Sequence, residues 1–171
     1  MIKQIVTIIL AAFFVAACGN KEEQLQERAA ELCKYIPDHE LREESKAFMT
    51  ADFYAVLDTM FNHLPEHDEM DHEWLYYFVT GNGGTIPEYE VVGVKLADDR
   101  HAVATVKVRQ KWEDGSFDES SDIKEHKLSM EKVDGQWLIA DFDNHKKDCL
   151  RHIATSRKKI QNNPYTLAIP R

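Results

Sequence analysis

The sequence predicts an α+β fold in which N-terminal helices pack on a curved four-stranded antiparallel sheet, followed by a C-terminal helix. Up to residue 80, apolar residues recur every three or four positions, which is typical of helices that bury one face. Beyond Pro87 they recur at every second position, as in strands that are half buried. Asp134 and Gly135 form the dipeptide that favours a tight hairpin turn. Helices followed by consecutive strands indicate an antiparallel meander.

The predicted helices each carry one apolar stripe. In the first, after Lys21, the stripe comprises Leu25, Ala29, Leu32, Cys33 and Ile36. Residues 38–49 can continue as helix, with Leu41, Ala47 and Phe48 on one side. Thr50 and Asp52 offer capping oxygens to the next helix, whose stripe comprises Phe53, Leu57, Met60, Phe61 and Leu64. Residues 70–80 form either a short helix or a strand, and residues 146–160 form a cationic C-terminal helix.

The predicted strands alternate between two faces. The first places Val92, Val94 and Leu96 together. On the second strand, the shared face comprises Ala102, Ala104, Val106, Val108, Gln110 and Trp112. On the third, His126, Leu128 and Met130 point inward. The final strand is apolar on both faces, so the pattern leaves its inner face open, although Asp141 shares a face with Trp137 and Ile139.

Composition excludes several classes of protein. The chain has 171 residues with 30 Asp plus Glu against 21 Lys plus Arg, a formal net charge of −9. Affinity for nucleic acids comes from clustered Lys and Arg, so no nucleic-acid partner is expected. Glycine-rich phosphate loops and a GxSxG nucleophile motif are missing, and Ser120 and Ser121 fall in a turn, so we expect no cofactor.

The N-terminus reads as a secretory signal. Lys3 precedes an apolar run from Ile5 to Ala17, which is too short to span a bilayer comfortably. The run ends in Val-Ala-Ala-Cys at Val15 to Cys18. This resembles the lipobox of bacterial lipoproteins, which implies lipid on the Cys18 thiol and cleavage before it. The alternative is an ordinary signal peptide with a coincidental cysteine.

The lipoprotein resemblance also implies an address and a domain plan. Gly19 follows the cysteine, as in lipoproteins that continue to the outer membrane, and residues 20–23 resemble a tract of some cell-surface lipoproteins. We expect an envelope protein on the periplasmic side or at the surface. The plan is signal peptide 1–17, lipidated tether 18–22, one α+β domain 23–160 and a tail 161–171.

Two cysteines remain in the mature chain. In an oxidising envelope Cys33 and Cys149 form a natural disulfide pair, which we predict. Two buried, unreacted thiols are the alternative.

A second resemblance concerns the domain. Asp134, Gly135, Trp137, Ile139 and Asp141 keep the spacing of the final strand in the nuclear transport factor 2-like (cystatin-like) superfamily. Residues 22–144 are similar in layout to an uncharacterised envelope branch of it. The resemblance implies a cone-shaped sheet with a pocket at its open end. Some relatives are isomerases or dehydratases, and many only bind or dimerise, so fold alone assigns no activity.

Two groups of residues are candidates for a site. The candidate pocket comprises Gln110, Trp112, His126, Asp141 and Tyr77, with His126 or Asp141 as a general base. A core histidine and a half-buried aspartate are the alternatives. The second group is His67, Asp71 and His72, a weak candidate for metal binding without an HExxH motif, so no metal is expected.

The sequence therefore predicts a lipid-anchored envelope protein that binds a small ligand or a protein partner and is not an enzyme. Its contact with the membrane is the lipid on Cys18. The alternative is a small isomerase or hydro-lyase that uses the cone pocket.

Overall fold

The structure is a computed structural model and describes residues 21–37, 41–63, 85–119 and 123–162. Helix α1 covers residues 21–33, and a 3-10 helix covers Glu43–Phe48. Helix α2, Ala51–Asp58, continues into one wider turn at Thr59–His63. The strands are β1 Thr85–Leu96, β2 His101–Trp112, β3 Lys124–Val133 and β4 Gln136–Phe142, and helix α3 is His145–Asn162. The α+β class is confirmed.

The four strands form one antiparallel sheet in the order β1-β2-β3-β4, as predicted. Its inner face packs against the helices and carries Ala102, Ala104, Val106, Val108, Leu128, Met130, Ile139 and Phe142, all buried. The outer face carries the intervening residues, such as Thr105, Lys107 and Lys127. The β3–β4 turn uses positive φ angles at Asp134 (49°) and Gly135 (84°), the geometry of the predicted hairpin.

Two register shifts change which side chains reach the inner face. Between Val91 and Gly93 the β1–β2 pairing slips by one residue. Val92 is the extra residue at this shift and is 40% exposed, so the prediction that it shares a face with Val94 and Leu96 is wrong. Val94 and Leu96 do share a face, because they pair with Ala104 and Ala102 of the inner face. A bulge adds one residue to a strand and reverses the alternation beyond it.

The second shift lies at Ser129 and Met130 of β3. Met130 pairs with Ile139, while Ser129 pairs with Asp141, so one β4 residue is left over between them. Beyond the shift Phe142, not Asp141, takes the inner position opposite Leu128. The prediction that Asp141 shares the face of Ile139 is therefore wrong, because strict alternation does not survive the bulge.

The helices close the core from one side. All five residues of the predicted first stripe are buried, four of them in α1 and Ile36 just after it. Phe53 and Leu57 of α2 and Met60 of the wider turn are buried as well. Residues 43–48 form a 3-10 helix, in which Phe48 stacks on Tyr35 with ring centroids 3.5 Å apart. The Thr50 amide donates to the Ile139 carbonyl at 2.8 Å, so this segment attaches to the β4 edge. Three fully buried methionines, Met49, Met60 and Met130, fill the space between helices and sheet.

The two cysteines lie in this core as free thiols, at 2% and 0% exposure for Cys33 and Cys149. The two thiols are separate in this structure, and the disulfide between them stays a prediction. Burial raises the pKa of each thiol to about 12. A thiol is a weak nucleophile while it stays protonated, so burial disfavours reaction of both thiols in the folded state.

Candidate functional site

The predicted pocket residues on β2 lie at the end of that strand. Gln110 accepts a hydrogen bond on its side-chain oxygen from the buried Thr85 hydroxyl at 2.9 Å. Trp112 is 41% exposed, and its amide donates to the Ser116 carbonyl at 2.8 Å. The β2–β3 ladder ends at Val108 and Lys124, so both residues lie beyond it. Gln110 and Trp112 therefore lie at the end of β2, where β3 no longer pairs with it.

His126 is held by a carboxylate that the pocket prediction omits. Its Nδ1 lies 2.5 Å from Oδ2 of Asp143, and its ring stacks on Phe142 with centroids 5.2 Å apart. The other oxygen, Oδ1 of Asp143, accepts the Lys127 amide at 2.5 Å. The two side chains are only 15% and 27% exposed. This geometry fixes the orientation of the imidazole. A general base needs a fixed orientation, but a histidine with a purely structural role has one as well.

Asp143 owes its position to the turn between β4 and α3. Asp143 and Asn144 adopt positive φ angles of 52° and 63°, and Asp and Asn tolerate this conformation better than most residues. Burial acts to raise the pKa of the Asp143 carboxyl, but hydrogen bonds from His126 and the Lys127 amide outweigh it and lower the pKa. The lowered pKa favours the charged carboxylate form of Asp143.

Asp141 serves a different purpose. Its Oδ1 accepts the Phe142 amide at 2.7 Å and the Lys146 amide at 3.0 Å, which ties the first turn of α3 to the end of β4. Burial raises its pKa, although those two amides act in the opposite direction. Lys146 also pairs with Asp52 of α2. The side chain that was predicted as a pocket base thus anchors a helix start.

A groove lies at the opposite end of β4, beside the hairpin turn, with a volume of about 210 Å³. Its apolar lining is Leu25, Leu96 and Trp137, and its polar lining is Lys21, Gln24, Asp99 and Lys132. It is thus an amphipathic groove whose lining includes two cations and one anion. Such a groove suits a small ligand that is apolar on one side and charged or polar on the other.

Trp137 lines the groove from β4 and has contacts with two neighbouring cations. The Arg28 guanidinium donates to the Trp137 carbonyl from Nε at 3.1 Å and from Nη2 at 2.9 Å. Arg28 is itself held by Glu31 at 2.6 Å. The Lys132 ammonium lies 5.9 Å from the centre of the indole ring. These contacts hold a preformed aromatic surface, which reduces the entropy that binding would cost.

Sequence reasoning missed both Asp143 and the groove. The Asp-Asn pair at a strand end was the available signal for Asp143, because both residues favour turns. The groove had no local signal, since it joins α1, the β1–β2 turn and the β3–β4 hairpin, which are far apart in the chain. Tyr77, His67, Asp71, His72 and Cys18 lie outside the described residues.

The described part of the chain holds neither a metal-binding cluster nor a membrane-spanning helix. There, no group of three or more His, Cys, Asp or Glu side chains is arranged to hold a metal ion. Within the same ranges, no helix has the length and apolar character needed to cross a bilayer. No protein-family model, curated protein or solved structure matches the chain.

Proposed function

We propose that this chain is a lipid-anchored bacterial envelope protein that binds a small amphipathic ligand in the groove beside Trp137. The observation that carries the proposal is the groove itself, which is lined by three apolar side chains together with two cations and one anion. The inner face of the sheet, by contrast, is filled with methionine and aliphatic side chains. That filling favours a binding protein over an enzyme that works between sheet and helices.

The address of the protein rests on Cys18. Only Gly19 and Asn20 separate this cysteine from Lys21, which begins the described part of α1 and lines the groove. Three extended residues span about 10 Å. A lipid on Cys18 would therefore hold the groove near the bilayer, whether the protein faces the periplasm or the outside. Two or three acyl chains hold a domain on a membrane with little dissociation.

The finer fold assignment is part of the same proposal. A nuclear transport factor 2-like cone needs a curved antiparallel sheet with helices on one face. The bulges near Gly93 and Met130 support it, because a bulge increases local twist and bends a strand.

The anchor is tested by expressing the full chain and its Cys18→Ser variant in a bacterium with an outer membrane, grown with an alkyne analogue of palmitate. We expect the wild type to carry the label and to fractionate with membranes. The variant should carry no label. Equal labelling of both chains would show that Cys18 is not the lipidation site.

The groove is tested by native mass spectrometry of the mature chain after incubation with an envelope lipid and metabolite extract. We expect an added mass on the wild type and a loss of it in Trp137→Ala. Trp112→Ala is the matched control, since Trp112 lies at the far end of the sheet and should leave the added mass unchanged. A wild type that gains no mass, or equal loss in both variants, would contradict binding in the groove.

A second candidate function is a small isomerase or hydro-lyase, which the His126–Asp143 pair favours. In that reaction His126 would take a proton from the carbon next to a carbonyl and return it to a different carbon of the same molecule. The test is isomerisation of a β,γ-unsaturated ketone, followed by absorbance of the conjugated product. A rate that is lost in His126→Gln but kept in His101→Gln would support this function, and no rate above buffer would reject it.

A further inference from the structure

Helix α3 presents two opposite faces. Cys149 and Ile153 are buried in the core on one side. The opposite side is solvent-exposed and comprises Lys147, Leu150, Arg151, Ala154, Arg157 and Lys158, which we call the α3 stripe. At 3.6 residues per turn, Lys147, Arg151 and Lys158 fall within roughly 40° of one another around the helix, and Ala154, Leu150 and Arg157 extend this surface by about 80° to one side. The stripe is therefore a continuous surface and not a scatter of single residues.

The α3 stripe is cationic on an acidic protein. It holds four cations and no acidic residue, whereas the whole chain has a formal charge of −9. Ion pairs among the described residues of α3 join Lys146 to Asp52 and Arg151 to Asp148. Lys147, Arg157 and Lys158 take no part in those pairs. Positive charge is thus concentrated on one helix face, where it attracts an anionic surface.

One apolar side chain lies among the cations. Leu150 is 49% exposed, although it lies next to a core to which α3 already contributes Cys149 and Ile153. A helix with cations flanking an exposed apolar residue is typical of the water–lipid interface, where the apolar group enters the acyl boundary and the cations meet headgroups. A nucleic-acid backbone would satisfy the cations but offers no apolar layer for Leu150.

We propose that the α3 stripe docks on the surface of an anionic phospholipid bilayer. Lys147, Arg151, Arg157 and Lys158 contact the headgroup phosphates, and Leu150 enters the layer below them. The interaction is independent of the groove and of any lipid on Cys18. In a lipidated chain it would add a second contact that orients the domain on the membrane.

The test is co-sedimentation of residues 18–171 carrying Cys18→Ser with two kinds of vesicle. One is neutral phosphatidylcholine alone, and the other is phosphatidylcholine with about 30 mol% phosphatidylglycerol. All buried side chains of the described core lie between Leu25 and Ile153, so this chain keeps them. We expect binding to the anionic vesicles only. Raising the salt from about 0.05 M to about 0.5 M should release the protein, because exposed charges are screened.

The decisive comparison uses two triple variants with the same charge change. Lys147→Gln/Arg157→Gln/Lys158→Gln should weaken binding roughly 100-fold, at about fivefold for each cation near an anionic surface. Lys34→Gln/Lys95→Gln/Lys124→Gln removes three exposed cations elsewhere and should change binding less than about threefold. Circular dichroism checks that both variants are folded.

Leu150→Ser sharpens the result, since it should weaken binding severalfold without changing the salt dependence. Three outcomes would overturn the proposal: no binding to anionic vesicles, equal binding to neutral vesicles, or equal losses in the two triple variants. Binding of the same stripe to a DNA duplex with higher affinity than to the vesicles would assign it to a different partner.

Discussion

On the inner face of the sheet Ala104, Val106 and Leu128 are fully buried, whereas on the outer face their neighbours Thr105, Lys107 and Lys127 reach solvent. The outer residues interact through polar contacts, such as Lys127 Nζ donating to the Thr105 hydroxyl at 2.8 Å. Burial of apolar area contributes far more free energy than exposed polar contacts do. The inner face therefore determines stability, and the outer face is free to change.

Both candidate sites lie where this two-faced arrangement ends. The His126–Asp143 pair forms where β4 gives way to α3, and the groove beside Trp137 forms at the β3–β4 hairpin. At these ends side chains are neither fully packed nor fully solvated. Polar groups can be held there in fixed positions while a surface stays accessible, which is what binding requires.

The largest difference between buried and exposed positions should appear in thiol chemistry. A pKa of about 12 instead of 9.0 leaves roughly a thousandfold less thiolate at Cys33 and Cys149. In the folded protein carrying Cys18→Ser we expect almost no reaction with Ellman's reagent. In urea, two thiols per chain should react within minutes. If urea releases no thiols until a reductant is added, Cys33 and Cys149 are joined as a disulfide.

Truncation of one side chain on each face measures the contrast in stability. Leu128→Ala removes a fully buried side chain and should lower the free energy of unfolding by about 2–5 kcal/mol, because it leaves a cavity. Lys107→Ala on the outer face should change it by less than about 0.5 kcal/mol. Urea unfolding followed by circular dichroism gives both values. Similar losses in the two variants would mean that the outer face is covered.

The neighbouring carboxyls Asp143 and Asp141 should respond in opposite directions at neutral pH. Asp143→Asn removes the charged acceptor of His126 and the Lys127 amide and should cost about 1–3 kcal/mol at pH 7. Asp141→Asn keeps an oxygen for the Lys146 amide and removes a charge that burial disfavours. It should raise the urea midpoint slightly at pH 7.

The pH dependence of unfolding separates these two effects. The folded-state pKa of Asp143 is lowered, so its contribution is complete above the unfolded pKa of about 3.9 and is lost as pH falls through the folded value. The folded-state pKa of Asp141 is raised, so its contribution is complete below that unfolded value and is lost as pH rises through the folded one. The difference in the free energy of unfolding between wild type and Asp143→Asn should therefore shrink below about pH 4. A gap that stays constant down to pH 2 would contradict the charged hydrogen bonds.

The smallest effect on stability concerns the turn that sets the register between β3 and β4. Gly135 has a φ of 84°, so Gly135→Ala strains the β3–β4 hairpin and should cost about 1 kcal/mol, even though the added carbon meets no atom within 4 Å. Gly93→Ala also meets open space, but φ there is not in the positive range, and its stability should stay within about 0.5 kcal/mol. Differential scanning calorimetry resolves the two variants. Equal melting temperatures would mean that the turn tolerates a side chain.

The sequence by itself determined the element order, the hairpin at Asp134 and Gly135, and most of the core, including the four buried residues of α1 and Ile36 just after it. Apolar periodicity suffices for these features because burial of one face follows directly from the period of a helix or strand. It also supplied the lipobox at Cys18, which remains a prediction.

The tertiary structure alone decided where the alternation fails and which side chains meet. The bulges that expose Val92 and turn Asp141 away from the face of Ile139 depend on pairing with a neighbouring strand, which no local pattern records. The His126–Asp143 pair joins residues 17 positions apart, and the groove joins α1 to two distant turns. Such sites arise from how the elements pack, because contacts between distant segments leave no periodic signal in the chain.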